Sequence, residues 1–249
     1  PEDGSKLLVL SAPAPVAPFF VSIYDPKNCR ILFMAPLSSS IHRIADVGVI
    51  SWINERAFAS CVGDEVTLWK DSTLNLGEIY FESQVMMYGN AYKSADQCCV
   101  AALPLDDMKD TSIEYANAYE RSCATDRAVT GSTNGCLYVW AGSFCKDVVQ
   151  AHDGSVVAIS FIFDKSFLVS SGTDRFVRLW APDLGCLGEI LMDGVVCSID
   201  AAHASAIYSK GITHDAKEVP QDSGTMMLLL ASSDGSIQER RVDSGDDPN

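Results

Sequence analysis

Residues 129–140 read VTGSTNGCLYVW and residues 167–180 read FLVSSGTDRFVRLW. Each is a β-rich run, a tight turn, and a hydrophobic run that closes on a tryptophan. The turns sit on Asn134-Gly135 and Thr173-Asp174, residue types that accept the tight backbone of a hairpin. Between the two copies lies AHDGSVVAISF, residues 151–161, a polar loop running into one more strand. Trp140 and Trp180 are 40 residues apart, so one unit of structure is used twice.

A 40-residue period is that of a four-stranded propeller blade, and the pattern resembles the WD40 repeat. Short strand-like runs separated by turn signals extend it in both directions. A first unit holds runs at 6–11, 19–24 and 30–34, with Tyr24-Asp25 in place of a Trp-Asp pair. A second has runs at 47–53, 57–62, 65–69 and 77–81, with Asp64 in the tight turn and Trp69 ending the third. The third begins at 97–102, is interrupted by an insertion at 104–123, resumes at 128–130, reaches Trp140 and closes at 146–150. The insertion reads as a solvated loop with room for one short helix. A fourth unit has runs at 156–161, 167–171, 176–180 and 186–191. A fifth has runs at 195–201, 226–231 and 236–242, a polar loop at 203–224, and Ser233-Asp234-Gly235 as its turn; Arg240 stands where the tryptophan would be.

The expectation is therefore an all-β, WD40-type propeller over residues 1–242. Its blades fall at about 1–40, 41–85, 97–150, 151–193 and 194–242, and an acidic, disordered tail follows at 243–249. The run count, about 18, is not a multiple of four. Either a run is miscounted and a small ring closes, or this is a partial ring of about five blades. The partial ring is the expectation, since the two end sets lack opposite strands, with the remaining blades upstream in a longer parent chain; the start at Pro1 without a methionine reads as that of an excised or processed piece.

The formal charge of −15, from 33 acidic and 18 basic residues, repels phosphate backbones and anionic membrane surfaces. Nucleic acid and membrane are accordingly not expected as partners. No apolar run approaches the ~20 residues that span a bilayer. The nine cysteines form no C-x-x-C pair and lie mostly in apolar runs, which fits buried free thiols in a reducing cytoplasm.

The resemblance implies a hydrogen-bonded group in the fourth unit. Asp174 would accept from His152 and from turn amides, and Ser170 would bridge His152 to the Trp180 indole N–H. Such a network stabilises only when every member is satisfied. A Ser/His/Asp trio also invites a hydrolase reading, but a nucleophilic serine needs exposure and a strained elbow such as G-x-S-x-G. Ser170 lies mid-strand between Val169 and Ser171, so the group is read as structural and no enzyme activity is expected. Other units keep parts of it: Ser60, Asp64 and Trp69 in the second, with His42 displaced; Thr130, Asn134 and Trp140 in the third; Asp234 alone in the fifth.

The remaining polar residues carry little. His203 and His214 lie in a polar loop with Asp215, without a third ligand at metal-binding spacing. Cys98 and Cys99 start a strand and face opposite sides of it. No phosphate-binding loop is present; the glycine-dense run at 185–188 reads as an edge-strand turn. Asp106-Asp107 and the acids of 243–247 lack EF-hand spacing and read as solvated surface. No metal or cofactor is expected.

One subfamily fits more closely. The run from Arg127 to Trp180, with TGSTNGCLYVW, AHDGSVV and LVSSGTDR in succession, resembles the echinoderm microtubule-associated protein (EMAP)-like family. The stretch ISWINERAFASCVGDEVTLWKDSTLNL, residues 50–76, is similar to its preceding blade. Ser170-Ser171 replace that family's hairpin glycines, and the insertion at 104–123 departs from it. The resemblance implies later blades of the first of two joined propellers, and a cytoplasmic, cytoskeletal scaffold whose partner is tubulin or microtubules. The alternative is a WD40 scaffold in a ciliary, trafficking or ubiquitin-ligase assembly. Tyr115, Phe144 and Phe163 are the candidate apolar contact points.

Overall fold

The computed structural model describes residues 6–11, 19–37, 48–72, 79–89, 92–103, 127–162, 167–181, 183–203 and 226–242. These form five antiparallel sheets in chain order. The first holds β1 (Leu7–Ser11), β2 (Phe20–Asp25) and β3 (Arg30–Pro36). The second holds β4 (Gly48–Asn54), β5 (Ala57–Val62), β6 (Glu65–Asp71) and β7 (Phe81–Val85). The third is β8 (Gln97–Ala102), β9 (Arg127–Ser132), β10 (Cys136–Ala141) and β11 (Phe144–Gln150). The fourth is β12 (Val156–Ile162), β13 (Phe167–Gly172), β14 (Phe176–Trp180) and β15 (Cys186–Leu191). The fifth holds β16 (Val196–His203), β17 (Met226–Ser232) and β18 (Ile237–Val242). Within each sheet, neighbours in sequence are neighbours in space. The fold is all-β, with about five propeller blades. Among the described residues, no helix is long and apolar enough to cross a membrane.

The second strand of each of the middle blades is buried on both faces, which is why AFASCV, RAVTGS and FLVSSG show no polar alternation. Side chains of opposite parity feed opposite seams. In β10, Tyr138 and Trp140 pack toward the second blade, while Leu137 and Val139 pack toward the fourth. Four hydrophobic clusters result, one for each of the four seams. Each strand-ending tryptophan looks back toward the preceding blade: Trp69 to the first, Trp140 to the second, Trp180 to the third. At the first seam Phe58 stacks on Trp69 with ring centroids 5.5 Å apart and planes 8° from parallel.

Several expectations need correction. The outer strand of the second blade runs over Phe81–Val85, not 77–81, and pairs Asp71 with Phe81 and Thr67 with Val85. Beyond Phe81 this edge strand faces solvent, so it is polar, and hydrophobicity drew the expectation to the more apolar GEIYF. Phe144 is not a loop residue: it opens β11, pairs with Ala141 and is half-buried. Gly188 lies inside β15 and not in a turn. Cys29, Cys186 and Cys197 are exposed, whereas Cys61 and Cys145 are buried; the exposed thiols sit in a turn and on strands with a solvent-facing side. The insertion at 104–123, residues 204–224 of the polar loop, the tail at 243–249, and His42, Tyr115, Phe163, His214 and Asp215 lie outside the described residues.

Gly131 marks how closely the third and fourth blades approach. A Cβ there would lie 2.5 Å from Val156 Cγ1 and 2.7 Å from Cys99 Sγ, whereas a Cβ on Gly188 would meet nothing within 4 Å. Gly131→Ala is expected to destabilise the fold by about 1–3 kcal/mol through overpacking. Gly188→Ala should stay within about 0.5 kcal/mol of the parent. Thermal unfolding of the two variants side by side checks the seam.

Candidate functional site

The most connected polar group lies at the junction of the third and fourth blades. The loop from β11 to β12 is pinned to the third blade's turn: Ala151 N–H and His152 N–H both donate to Gly135 O at 3.0 Å. Gly135 has φ +82°, and a Cβ there would sit 2.1 Å from His152 O, so this position requires glycine. Ser155 Oγ donates to Thr133 O at 3.1 Å and Gln150 Nε2 to Asn134 O at 3.2 Å, closing the same junction. Pinned in this way, the His152 side chain is directed into the fourth blade, where only 1% of the residue is exposed.

There His152 Nδ1 lies 2.9 Å from Asp174 Oδ1, and Nε2 lies 2.7 Å from Ser170 Oγ. Trp180 Nε1–H donates to the same Ser170 Oγ at 2.8 Å. One tautomer satisfies Asp174, Ser170 and Trp180 together, while Arg178 Nη1, a donor 2.9 Å from Nδ1, finds its acceptors elsewhere. Nδ1–H donates to the carboxylate, Nε2 accepts from the serine hydroxyl, and the serine oxygen accepts from the indole. Asp174 additionally accepts from the amides of Phe176 and Asp153, both at 3.1 Å. Sequence reasoning missed one further member. Arg178 Nη1 donates to Asp174 Oδ2 at 2.9 Å and to Ala151 O at 2.7 Å, and its Nε donates to Glu189 Oε2 at 2.9 Å. The signal was an arginine inside the apolar strand FVRLW, four residues past the turn aspartate.

Electrostatics follow from this packing. Burial would raise the Asp174 pKa, but hydrogen bonds from Arg178, His152 and the two amides outweigh it and hold the carboxyl at about 2. Burial lowers the His152 pKa, and the nearby Arg178 charge adds to that, against the pull of Asp174. The imidazole is therefore neutral at pH 7. Ser170 is 0% exposed, its oxygen held between an imidazole and an indole, so no substrate carbonyl can reach it in this arrangement. A cleft of about 270 Å³ opens beside the group, with Gln150, Asp153, Arg178 and Cys186 at its walls. Among the described residues, no three His, Cys, Asp or Glu side chains converge to hold a metal ion.

The other blades hold parts of the same arrangement. Trp69 Nε1–H donates to Ser60 Oγ at 2.9 Å, while Asp64 is exposed in its turn. Trp140 Nε1–H donates to Thr130 Oγ1 at 2.8 Å. Asn134 accepts from the Cys136 amide at 3.1 Å and from the Ser132 hydroxyl, and its Nδ2 donates to Tyr138 Oη at 3.0 Å. Tyr138 Oη–H in turn donates to Lys93 O at 3.0 Å, in the loop entering that blade. In the fifth blade, Asp234 Oδ1 accepts from the Ser236 amide at 2.8 Å, and Met192, in the loop before it, is buried in the core between the fourth and fifth blades. Arg240 is exposed and bonded to Gln238. Tyr24-Asp25 ends β2, where Asp25 caps its own turn by accepting from the Lys27 amide at 2.9 Å.

Removing the Asp174 carboxylate strands the buried His152 Nδ1–H and two amides, and leaves the Arg178 guanidinium with Ala151 O and Glu189 alone. Asp174→Ala should therefore cost about 3 kcal/mol or more, and Asn134→Ala about 1 kcal/mol. Chemical denaturation at pH 7 should rank them in that order; equal or reversed losses contradict the assignment. Because the folded Asp174 pKa lies below its unfolded value, its contribution is full above roughly pH 4 and falls as pH drops towards about 2.

Residues 143–181 match the family model described as WD domain, G-beta repeat. Echinoderm microtubule-associated protein-like 2 of Homo sapiens is 33% identical over 86 residues, which cover 32% of this chain and 13% of that protein. Its Rattus norvegicus counterpart is 37% identical over 65 residues, 25% of this chain and 10% of the relative. The matched stretches are thus a small fraction of those proteins' length. The WD40 β-propeller domain of Doa1 superposes with a TM-score of 0.55 at 11% identity, over 92% of this chain and 62% of that one, a likeness of fold alone. This chain carries a WD40 repeat on a WD40-type β-propeller fold, with local similarity to echinoderm microtubule-associated protein-like 2.

Proposed function

We propose that this chain is part of a non-enzymatic propeller scaffold that associates with tubulin or microtubules in the cytoplasm. The observation that carries this reading is the local identity to echinoderm microtubule-associated protein-like 2, 37% over 65 residues in the rat relative. A propeller suits such a role, because rigid sheets hold exposed turns and loops at fixed positions for a partner. The His152–Ser170–Asp174–Trp180 group supports the reading indirectly. It accounts for a Ser/His/Asp trio as a buried fastening of the blade, which removes the main sequence argument for an enzyme.

Charge shapes the contact. With a net charge of −15, this segment is repelled by acidic surfaces, so binding through shape and apolar contacts to folded tubulin is favoured over binding to acidic tails. Co-sedimentation of the intact protein with microtubules, together with gel filtration against tubulin dimers, tests the proposal. Association in either experiment is the expected result; recovery of the protein free in both contradicts it.

A further inference from the structure

The third and fourth blades fasten their entering loops with the same geometry and different chemistry. In each, a residue four positions after the turn residue bridges that residue to a carbonyl of the entering loop. Tyr138 links Asn134 to Lys93 O, and Arg178 links Asp174 to Ala151 O. The Asn134–Tyr138 tie is built from an amide and a phenol, neither of which changes charge between pH 5 and 8. The fourth blade's tie contains an imidazole, the one side chain whose ordinary titration falls in that range.

We propose that the junction between the third and fourth blades is an acid-sensitive hinge, opened by protonation of His152, while the junction between the second and third blades stays closed. The geometry gives the reason. A second proton on the imidazole must go to Nε2, which now accepts from the Ser170 hydroxyl at 2.7 Å. Ser170 Oγ already accepts from Trp180 and is fully buried, so its own proton loses its acceptor, a costly state for a buried donor. The new cation also lies 2.9 Å from Arg178 Nη1. The groups facing the imidazole are the Asp174 carboxylate from the β13–β14 turn, the Arg178 guanidinium from β14, and Asp153 in its own loop; Glu189 of β15 acts through Arg178.

Asp174 attracts the extra proton, but that carboxylate is already shared with Arg178 and two amides. Burial lowers the His152 pKa below its ordinary value, in the same direction as the geometric argument. The sign follows: an opened junction takes up the proton near pH 6.5, and the closed one resists it. The closed state therefore loses stability as pH falls through 6.5 towards the lowered folded value. The loop 151–155 is the part that moves: it carries His152, and apart from the hydrogen bonds to the third blade's turn it is held to the fourth blade through Asp174, through Arg178 Nη1 on Ala151 O and through Thr173 N–H on Ser155 O.

Hydrogen exchange of the intact protein at pH 7.5 and 5.0, corrected for the intrinsic pH dependence of amide exchange, tests the hinge. The opening constant for segments 151–155 and 170–178 should rise at least about threefold at pH 5.0, with no matching rise for 93–97 and 130–138. An equal response in both junctions, or a flat one at 151–155, overturns the proposal. His152→Gln, which cannot titrate, should abolish the difference; a difference that survives the substitution also overturns it. If that variant does not fold, imidazole NMR titration of the parent decides, since the chain has four histidines. A His152 pKa below 6.5 with loss of Trp180 indole protection on titration is the expected result, and a value at or above 6.5 contradicts it.

Discussion

A tryptophan indole buried between two sheets must give its N–H to an acceptor or lose about 1–3 kcal/mol, and three blades depend on how that need is met. Ser60, Thr130 and Ser170 each sit on the second strand and receive the indole from the third strand at 2.8–2.9 Å. The bond fixes the ring in one orientation, and the ring then packs against the preceding blade. Strand pairing within a blade and packing between blades are thereby tied at a single point. Trp140 shows the consequence: its N–H goes to Thr130 within the sheet, while Tyr88 from the preceding connection meets its ring edge-on, 5.0 Å between centroids.

The fourth blade extends the same interaction outward. Its serine accepts from the indole and donates a hydrogen bond to His152, which donates to Asp174, which accepts from two amides and Arg178. The chain of bonds reaches from the buried seam to the loop that joins two blades. The third blade reaches its entering loop by a shorter path through Tyr138, with Tyr88 and Gln97 filling the space beside it. Tyr88 Oη–H donates to Asp64 O at 2.6 Å, so the connection between the second and third blades is held at both ends. The third blade, which has no histidine in its entering loop, thus holds that loop by an aromatic hydroxyl.

The fold was legible in sequence because Trp140 and Trp180 recur at one period and because apolar strands alternate with Asn, Asp and Gly turns. The outer strand of the second blade was not, since Phe81–Val85 faces solvent beyond Phe81 and carries no hydrophobic pattern. At the candidate site, Asp174, His152, Ser170 and Trp180 stand out as residue types at set spacings. Arg178 and Tyr138 do not, because a charge or a phenol in a strand reads as ordinary surface until its facing loop is known. Register decides the matter: Ser170 lies opposite Arg178 and Thr130 opposite Tyr138, which places each bridging residue beside the hydroxyl that takes the indole.

The indole bonds tie each blade to its neighbour, so the indole protons report on that tie directly. The chain has four tryptophans, and their Nε1–H signals can be resolved by NMR. The N–H groups of Trp69, Trp140 and Trp180 should exchange with solvent far more slowly than a free indole, and Ser170→Ala should accelerate Trp180 while leaving Trp69 unchanged. Exchange of all three at the rate of free indole would contradict the account.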